Sequence, residues 1–122
     1  VRVEWSYTKD KRELKRLYLS ILPTIREVAR AAGYAVGVHG SLTRDLDLIA
    51  APWAEKCVAP EVLARRIELA VCRYPRRERY HWKKVRENAA QKPHGRLAFS
   101  IYLGTYAYID LSVLPTQGCF DG

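Results

Sequence analysis

Residues Asp45-Leu46-Asp47-Leu48-Ile49 alternate acid and aliphatic. Strict alternation is the period of a strand with one buried face. Because side chains two apart point the same way, Leu46 and Leu48 enter a core while Asp45 and Asp47 project together from the other side. Two carboxylates about 7 Å apart along a strand repel one another and gain nothing from folding. A divalent cation between them reverses that sign. The pattern therefore asks for a sheet with one apolar face and an acidic centre on the other.

The surrounding chain supplies such a sheet. From Lys9 to Ala32, apolar residues at Leu14, Leu17, Tyr18, Ile21, Leu22, Ile25, Val28, Ala29 and Ala32 recur in steps of three and four, which places them on one helical face. Pro23 inside this run predicts a kink, or two tandem helices with the second starting at Pro23. Gly33 is placed to close the helix. Tyr34 to Val38 reads as a first strand and Leu46 to Ala50 as a second, joined by the turn His39 to Arg44. A second helix begins at Pro60, with Val62, Leu63, Ile67, Ala70 and Val71 on its apolar face up to about Cys72. Pro75 stops it.

Leu97 to Leu103 and Tyr106 to Val113 form a hairpin about a tight Gly104-Thr105 turn. Between helix and hairpin, Arg73 to Arg86 reads as a loop that could include a short strand near Tyr80 to Lys84, followed by a turn over Asn88 to Gly95. Trp53, after Pro52, reads as core, and Pro115 to Gly122 as a loose tail. Helix, strand, strand, helix and hairpin together predict an α+β domain spanning residues 1–122, with helices packed on one face of a mixed β-sheet. Its core covers about 33–113, preceded by the helical segment 9–32. Asp110 falls in mid-strand between Ile109 and Leu111, where a charge is costly unless paired or ligated.

At 122 residues, the chain can bury roughly two-thirds of its unfolded surface as one domain. A formal net charge of +8 favours polyanionic partners, whether nucleotide, nucleic acid or anionic lipid. Arg73 to Arg86 is the most basic stretch. Its Arg76, Arg77, Arg79, Lys83 and Lys84, interleaved with Tyr80 and Trp82, are candidate nucleic-acid contacts, by charge and by stacking. The three cysteines, Cys57, Cys72 and Cys119, have no C-x-x-C spacing, which argues against a zinc knuckle or a redox pair. They read as thiols of a reducing cytoplasm. No apolar run approaches the ~18 residues of a membrane span, so no membrane partner is expected.

His39-Gly40-Ser41, then Asp45-Leu46-Asp47, then a later strand carrying Asp110, resembles the nucleotidyltransferase superfamily related to DNA polymerase β. The phrases HGSLTRDLDLIAAPW and YIDLSV also look like short phage or prophage proteins of that superfamily. The likeness covers about Gly33 to Val113. It implies a minimal nucleotidyltransferase-like domain in which Asp45, Asp47 and Asp110 are catalytic and bind metal: two Mg²⁺ ions, with Mn²⁺ an alternative. It also implies that Gly40 and Ser41 hold the triphosphate of an NTP. Independently of the resemblance, His39, flanking glycine in the turn, is a candidate nucleotide contact, and Arg44, beside the acids, is a candidate phosphate contact. Only Leu42, Thr43 and Arg44 separate Ser41 from Asp45, a shorter spacing than in most members.

The implied reaction moves a nucleoside monophosphate from an NTP to an acceptor hydroxyl, on nucleic acid, protein or a small molecule, and releases pyrophosphate. Such chemistry needs charge neutralised and the nucleophile held in line, which carboxylate-bound Mg²⁺ provides. Two other readings use the same residues. One is a catalytically inactive module of this fold that binds nucleic acid or a protein partner. The other is a metal-dependent phosphodiester hydrolase, which needs no NTP. A purely structural reading, with Asp45 paired to Arg44 or a neighbour and Asp47 capping a strand end, accounts for one acid but not for three. The turn Lys92-Pro93-His94-Gly95-Arg96 could lie over the nucleotide if the hairpin brings it there.

Overall fold

In the computed structural model, residues 2–73, 90–91 and 93–115 are described. Helix α1 runs Lys11–Ala31, β1 Tyr34–His39, β2 Leu46–Pro52 and α2 Pro60–Val71. A two-residue strand β3, Ala90–Gln91, and a 3₁₀ turn at Pro93–Gly95 lead into β4, Leu97–Tyr102, and β5, Tyr108–Val113. The strands form one sheet in the order β1-β2-β5-β4-β3. Among the described strands, β2 and β5 pair in parallel and the other pairs are antiparallel. This is the α+β architecture the residue pattern predicts.

Helix α1 begins where Asp10 accepts hydrogen bonds from the Arg12 and Glu13 amides, two donors that the first turn leaves without helical partners. Its stripe Leu14, Tyr18, Ile21, Ile25 and Ala29 is fully buried. Burying each large aliphatic of that stripe contributes roughly 1.5–3 kcal/mol, enough to hold the helix against the sheet. The helix continues through Pro23 as one element, so the tandem-helix alternative does not form. Pro23 and Leu19 both lie on the solvent side, where water can reach the carbonyl that loses its partner. Gly33, just past the end, has φ +95°, and a Cβ there would collide with the Lys56 carbonyl. Only glycine fits that turn.

The core lies on one side of the sheet. Tyr34 of β1, Leu46, Leu48 and Ala50 of β2, Ile109, Leu111 and Val113 of β5, and Phe99 and Ile101 of β4 are buried with the apolar faces of both helices. Helix α2 starts with Pro60 in its first turn and buries Leu63, Ala64, Ile67 and Val71. Glu68 on the same helix is buried and paired with Arg65 at 2.6 Å. The alternation of β2 and β5 leaves Asp47, Ile49, Asp110 and Ser112 on the face away from the helices.

Several local expectations are corrected. Within Asn88–Gly95, Ala90 and Gln91 pair with β4 as a strand rather than lying in a turn. The hairpin connection is the five-residue loop 103–107, closed by the Leu103 and Gly104 amides donating to the Ala107 carbonyl. It is wider than a tight turn because the N-terminal segment docks in it. The Ser6 amide donates to the Leu103 carbonyl, and the Thr105 amide donates to the Ser6 carbonyl. Trp53 is not core. It is 85% exposed, because its amide is tied to the Gly33 carbonyl just past the last residue of β2, where the burial alternation ends. The strand near Tyr80 to Lys84, the stop at Pro75 and the tail from residue 116 lie outside the described residues.

Candidate metal centre

The acidic centre is built by register. Asp47 on β2 stands opposite Asp110 on the parallel strand β5, and His39 on β1 stands opposite Asp47. Ser100 on β4 faces Asp110 from the other side. His39, Asp47, Asp110 and Ser100 thus form one row across four strands, spaced about 4.8 Å per strand, on the face opposite the helices. Asp45 enters from the residue just before β2. One carboxylate oxygen from each of Asp45, Asp47 and Asp110 lies within 4.8 Å of the others, and all three residues are half-buried. These three can hold a metal ion.

The electrostatics of the triad are those of a site short of positive charge. Burial raises the Asp47 pKa first, followed by the Asp45 charge, a hydrogen bond shared between the two carboxyl groups, and the Asp110 charge. His39 pulls it the other way. Like charges this close are relieved by a proton or by a cation. Arg44 does not supply that relief as an ion-pair partner: among the described residues the ion pairs are Arg65–Glu68 and Arg73–Glu4. Arg44 is therefore not the ion-pair partner of Asp45 that a purely structural account calls for.

The turn before the triad is shaped to leave the carboxylates accessible. Gly40 has φ +87°, and a Cβ built on it would sit 3.1 Å from Asp47 Oδ2. Leu42, a non-glycine residue, is also held at positive φ, +63°, a conformation that costs energy and is retained where the surroundings fix it. The Ser41 hydroxyl lies 2.7 Å from the Thr43 hydroxyl and also accepts from the Thr43 amide at 3.4 Å. Gly40 therefore lies against Asp47, and Ser41 is tied to Thr43 in the same turn.

Two tyrosines that sequence patterning assigns to structural roles organise the site. The Tyr18 hydroxyl, at the bottom of the α1 stripe, donates to the Arg44 carbonyl at 2.6 Å and accepts from the Tyr108 amide at 3.3 Å. It ties the turn before β2 to the start of β5, and so Asp45 to Asp110. Burial raises its pKa first, and the Asp45 charge adds to this. Tyr108 hydrogen-bonds the Asp45 carboxylate with its phenol; burial, then the Asp45 charge and that bond, raise its pKa. Its ring rests against Tyr102, centroids 5.7 Å apart. Neither role could be found by periodicity, since Tyr18 matches the helix stripe and Tyr108 the strand pattern.

Beside Asp45 opens a basic cavity of about 330 Å³ lined by Lys9, Lys11, Leu14, Thr43, Arg44, Tyr106 and Tyr108. Lys9 Nζ sits 4.6 Å from the centre of the Tyr106 ring, a geometry in which ring and cation attract. Arg44 thus belongs to the site through this cavity. Lys9 and Lys11 were not singled out from sequence, because lysines before a helix carry no pattern. The His94 turn is not part of the site. It precedes Leu97, which pairs with Val113, and Gly95 approaches Pro115, so the turn lies at the end of β5 remote from Asp110. The candidate nucleic-acid contacts Arg76, Arg77, Arg79, Lys83 and Lys84 lie outside the described residues.

No family model matches the chain, and neither the curated proteins nor the solved structures contain a match to it. Among the described residues no helix is long and apolar enough to cross a membrane.

Proposed function

We propose that this protein is a Mg²⁺-dependent nucleotidyltransferase that moves a nucleoside monophosphate from an NTP to an acceptor hydroxyl and releases pyrophosphate. The observation that carries the reading is the convergence of Asp45, Asp47 and Asp110 within 4.8 Å, directly beside a cavity whose charged lining is entirely cationic. Three hard oxygen donors suit Mg²⁺ or Mn²⁺ rather than a metal that prefers nitrogen or sulfur. The raised Asp47 pKa is a second sign that the donor set fits a cation. Asp45 and Asp47 would hold the metal from β2, and Asp110 would complete the set from β5. Mg²⁺ held by these carboxylates would supply the positive charge that phosphoryl transfer needs.

The chain's own residues divide the remaining work. Lys9, Lys11 and Arg44 offset the charge of the phosphates, and the hydroxyl of Ser41 and backbone of Gly40 lie where a phosphate oxygen can approach the turn. The acceptor oxygen bonds to the α-phosphorus, the bond from that phosphorus to the pyrophosphate oxygen breaks, and the hydroxyl proton passes to a carboxylate oxygen of Asp110. Tyr18 and Tyr108 keep the two acid-bearing segments in register.

The test is incubation with each α-labelled NTP and Mg²⁺, with single-stranded oligonucleotide, protein and small polyols as acceptors. Label transfer with stoichiometric pyrophosphate release, abolished by Asp110→Asn, is expected. Cleavage of the oligonucleotide without NTP would instead assign the carboxylates to a phosphodiester hydrolase.

A further inference from the structure

The exposed Trp53 lies against a second cavity, about 300 Å³, lined by Arg26, Arg30, Tyr34, Ala35, Val36 and Trp53. It sits at the end of β1 away from the acids. Neither arginine is in an ion pair with a described carboxylate. Arg26 Nη1 donates to the Val36 carbonyl at 3.0 Å, which anchors one nitrogen and leaves the rest of its donor fork for another acceptor. The same bond occupies the Val36 carbonyl of β1, the first strand in the order of the described sheet, which opposes pairing of a peptide strand there. An indole 85% exposed beside two guanidinium groups combines a stacking plane with phosphate ligands. That is how single-stranded nucleic acid is held without regard to sequence.

The cavity and the acidic centre are joined by a flat track. Ala35, Gly37 and His39 are the exposed residues of β1, and a Cβ on Gly37 would meet nothing within 4 Å. From Tyr34 to His39 the strand advances roughly 17 Å, room for a few nucleotides of extended strand. His39 stands opposite Asp47 at the far end. We propose that single-stranded nucleic acid binds in the cleft of Trp53, Arg26 and Arg30 and runs along β1, delivering a terminal hydroxyl to the acids as acceptor. The role as acceptor rests on the nucleotidyltransferase reading; the binding does not.

Fluorescence anisotropy of end-labelled short oligo(dT) and oligo(rU), at about 50 mM and about 200 mM salt, tests this. Trp53→Ala is expected to weaken binding about tenfold or more, and Trp53→Phe to restore most of it. Arg30→Gln should lower the log–log salt slope by about 0.7, the value of one phosphate contact on a single strand. Both side chains are exposed, and thermal melts confirm that the variants fold. Asp47→Asn should lose nucleotide transfer, and Trp53→Ala should lower oligonucleotide binding in that variant as it does in the wild type. Oligonucleotide binding lowered by Trp53→Ala in a protein without transfer activity would retain the cleft and remove the transferase reading. Wild-type protein that binds neither oligonucleotide, unchanged affinity in Trp53→Ala and Arg30→Gln, or equal competition by polyglutamate would each overturn the cleft assignment. The difference between the two oligonucleotides separates RNA from DNA as the bound strand.

Discussion

Asp47 on β2 and Asp110 on β5 face each other in register across a parallel strand pair of the sheet. The pair places two carboxylates on the solvent side of a layer whose other side is buried Leu46, Leu48, Ile109 and Leu111. Strand alternation fixes that geometry, and Asp45 adds a third charge to it. The arrangement opposes folding unless something positive enters.

That opposition has a sign that stability measurements can read. The Asp47 pKa is raised in the fold, by burial first and by Asp45 and Asp110 after it. A raised carboxyl contributes stability below about pH 4 and loses it as pH rises through the folded value. Asp47→Asn removes the loss, so the metal-free variant should be more stable than wild type at pH 7 by roughly 0.5–2 kcal/mol. The gap should close as pH falls toward 4. Thermal melts across that range, with chelator, check both statements. Adding Mg²⁺ should raise the wild-type melting temperature and leave that of Asp47→Asn unmoved.

Tyr18→Phe should cost roughly 1–3 kcal/mol in urea denaturation, because the Arg44 carbonyl and Tyr108 amide each lose a hydrogen-bond partner in a part-buried place. Since the hydroxyl ties the turn before β2 to β5, Mg²⁺ affinity should fall as well, though Phe touches no metal ligand. A variant that is destabilised with unchanged Mg²⁺ affinity would reduce Tyr18 to a core residue.

At Gly40, alanine meets two obstacles: φ of +87° and the Asp47 carboxylate 3.1 Å from its Cβ. Displacing that carboxylate should lower Mg²⁺ affinity about tenfold or more, as changes just outside a metal's ligand set do. Calorimetric titration of Gly40→Ala with Mg²⁺ reads this directly.

Gly104→Ala tests a different joint. Its Cβ would run into the Ser6 backbone, so the N-terminal segment must shift off the 103–107 loop, at a cost of roughly 1–3 kcal/mol. Hydrogen exchange should then show faster exchange at the Ser6 and Thr105 amides, which are bonded across this contact.

The acids were legible in the sequence because a period of two leaves no choice of face: Leu46 and Leu48 in the core put Asp47 outside, and Ile109 and Leu111 do the same for Asp110. The single 3.6-residue stripe of α1 was equally plain. What was hidden depends on contacts between distant segments. Tyr18 looks like any core aromatic until Arg44 and Tyr108 arrive beside its hydroxyl. Loop 103–107 looks like a tight turn until Ser6 occupies it. Trp53 follows the last strand residue, where alternation no longer constrains a side chain, and hydrophobicity alone placed it wrongly. Of the kink or tandem helices that Pro23 predicts, the tandem helices do not form, because buried residues on either side of it hold one continuous helix.

Calorimetric titration with each of the four NTPs, in Mg²⁺ and in chelator, on wild type and Asp47→Asn, tests the central claim most directly. The account predicts saturable NTP binding that requires Mg²⁺ and disappears in Asp47→Asn, a variant that remains folded. Failure of every NTP to bind wild type, or binding that Asp47→Asn leaves intact, would contradict it.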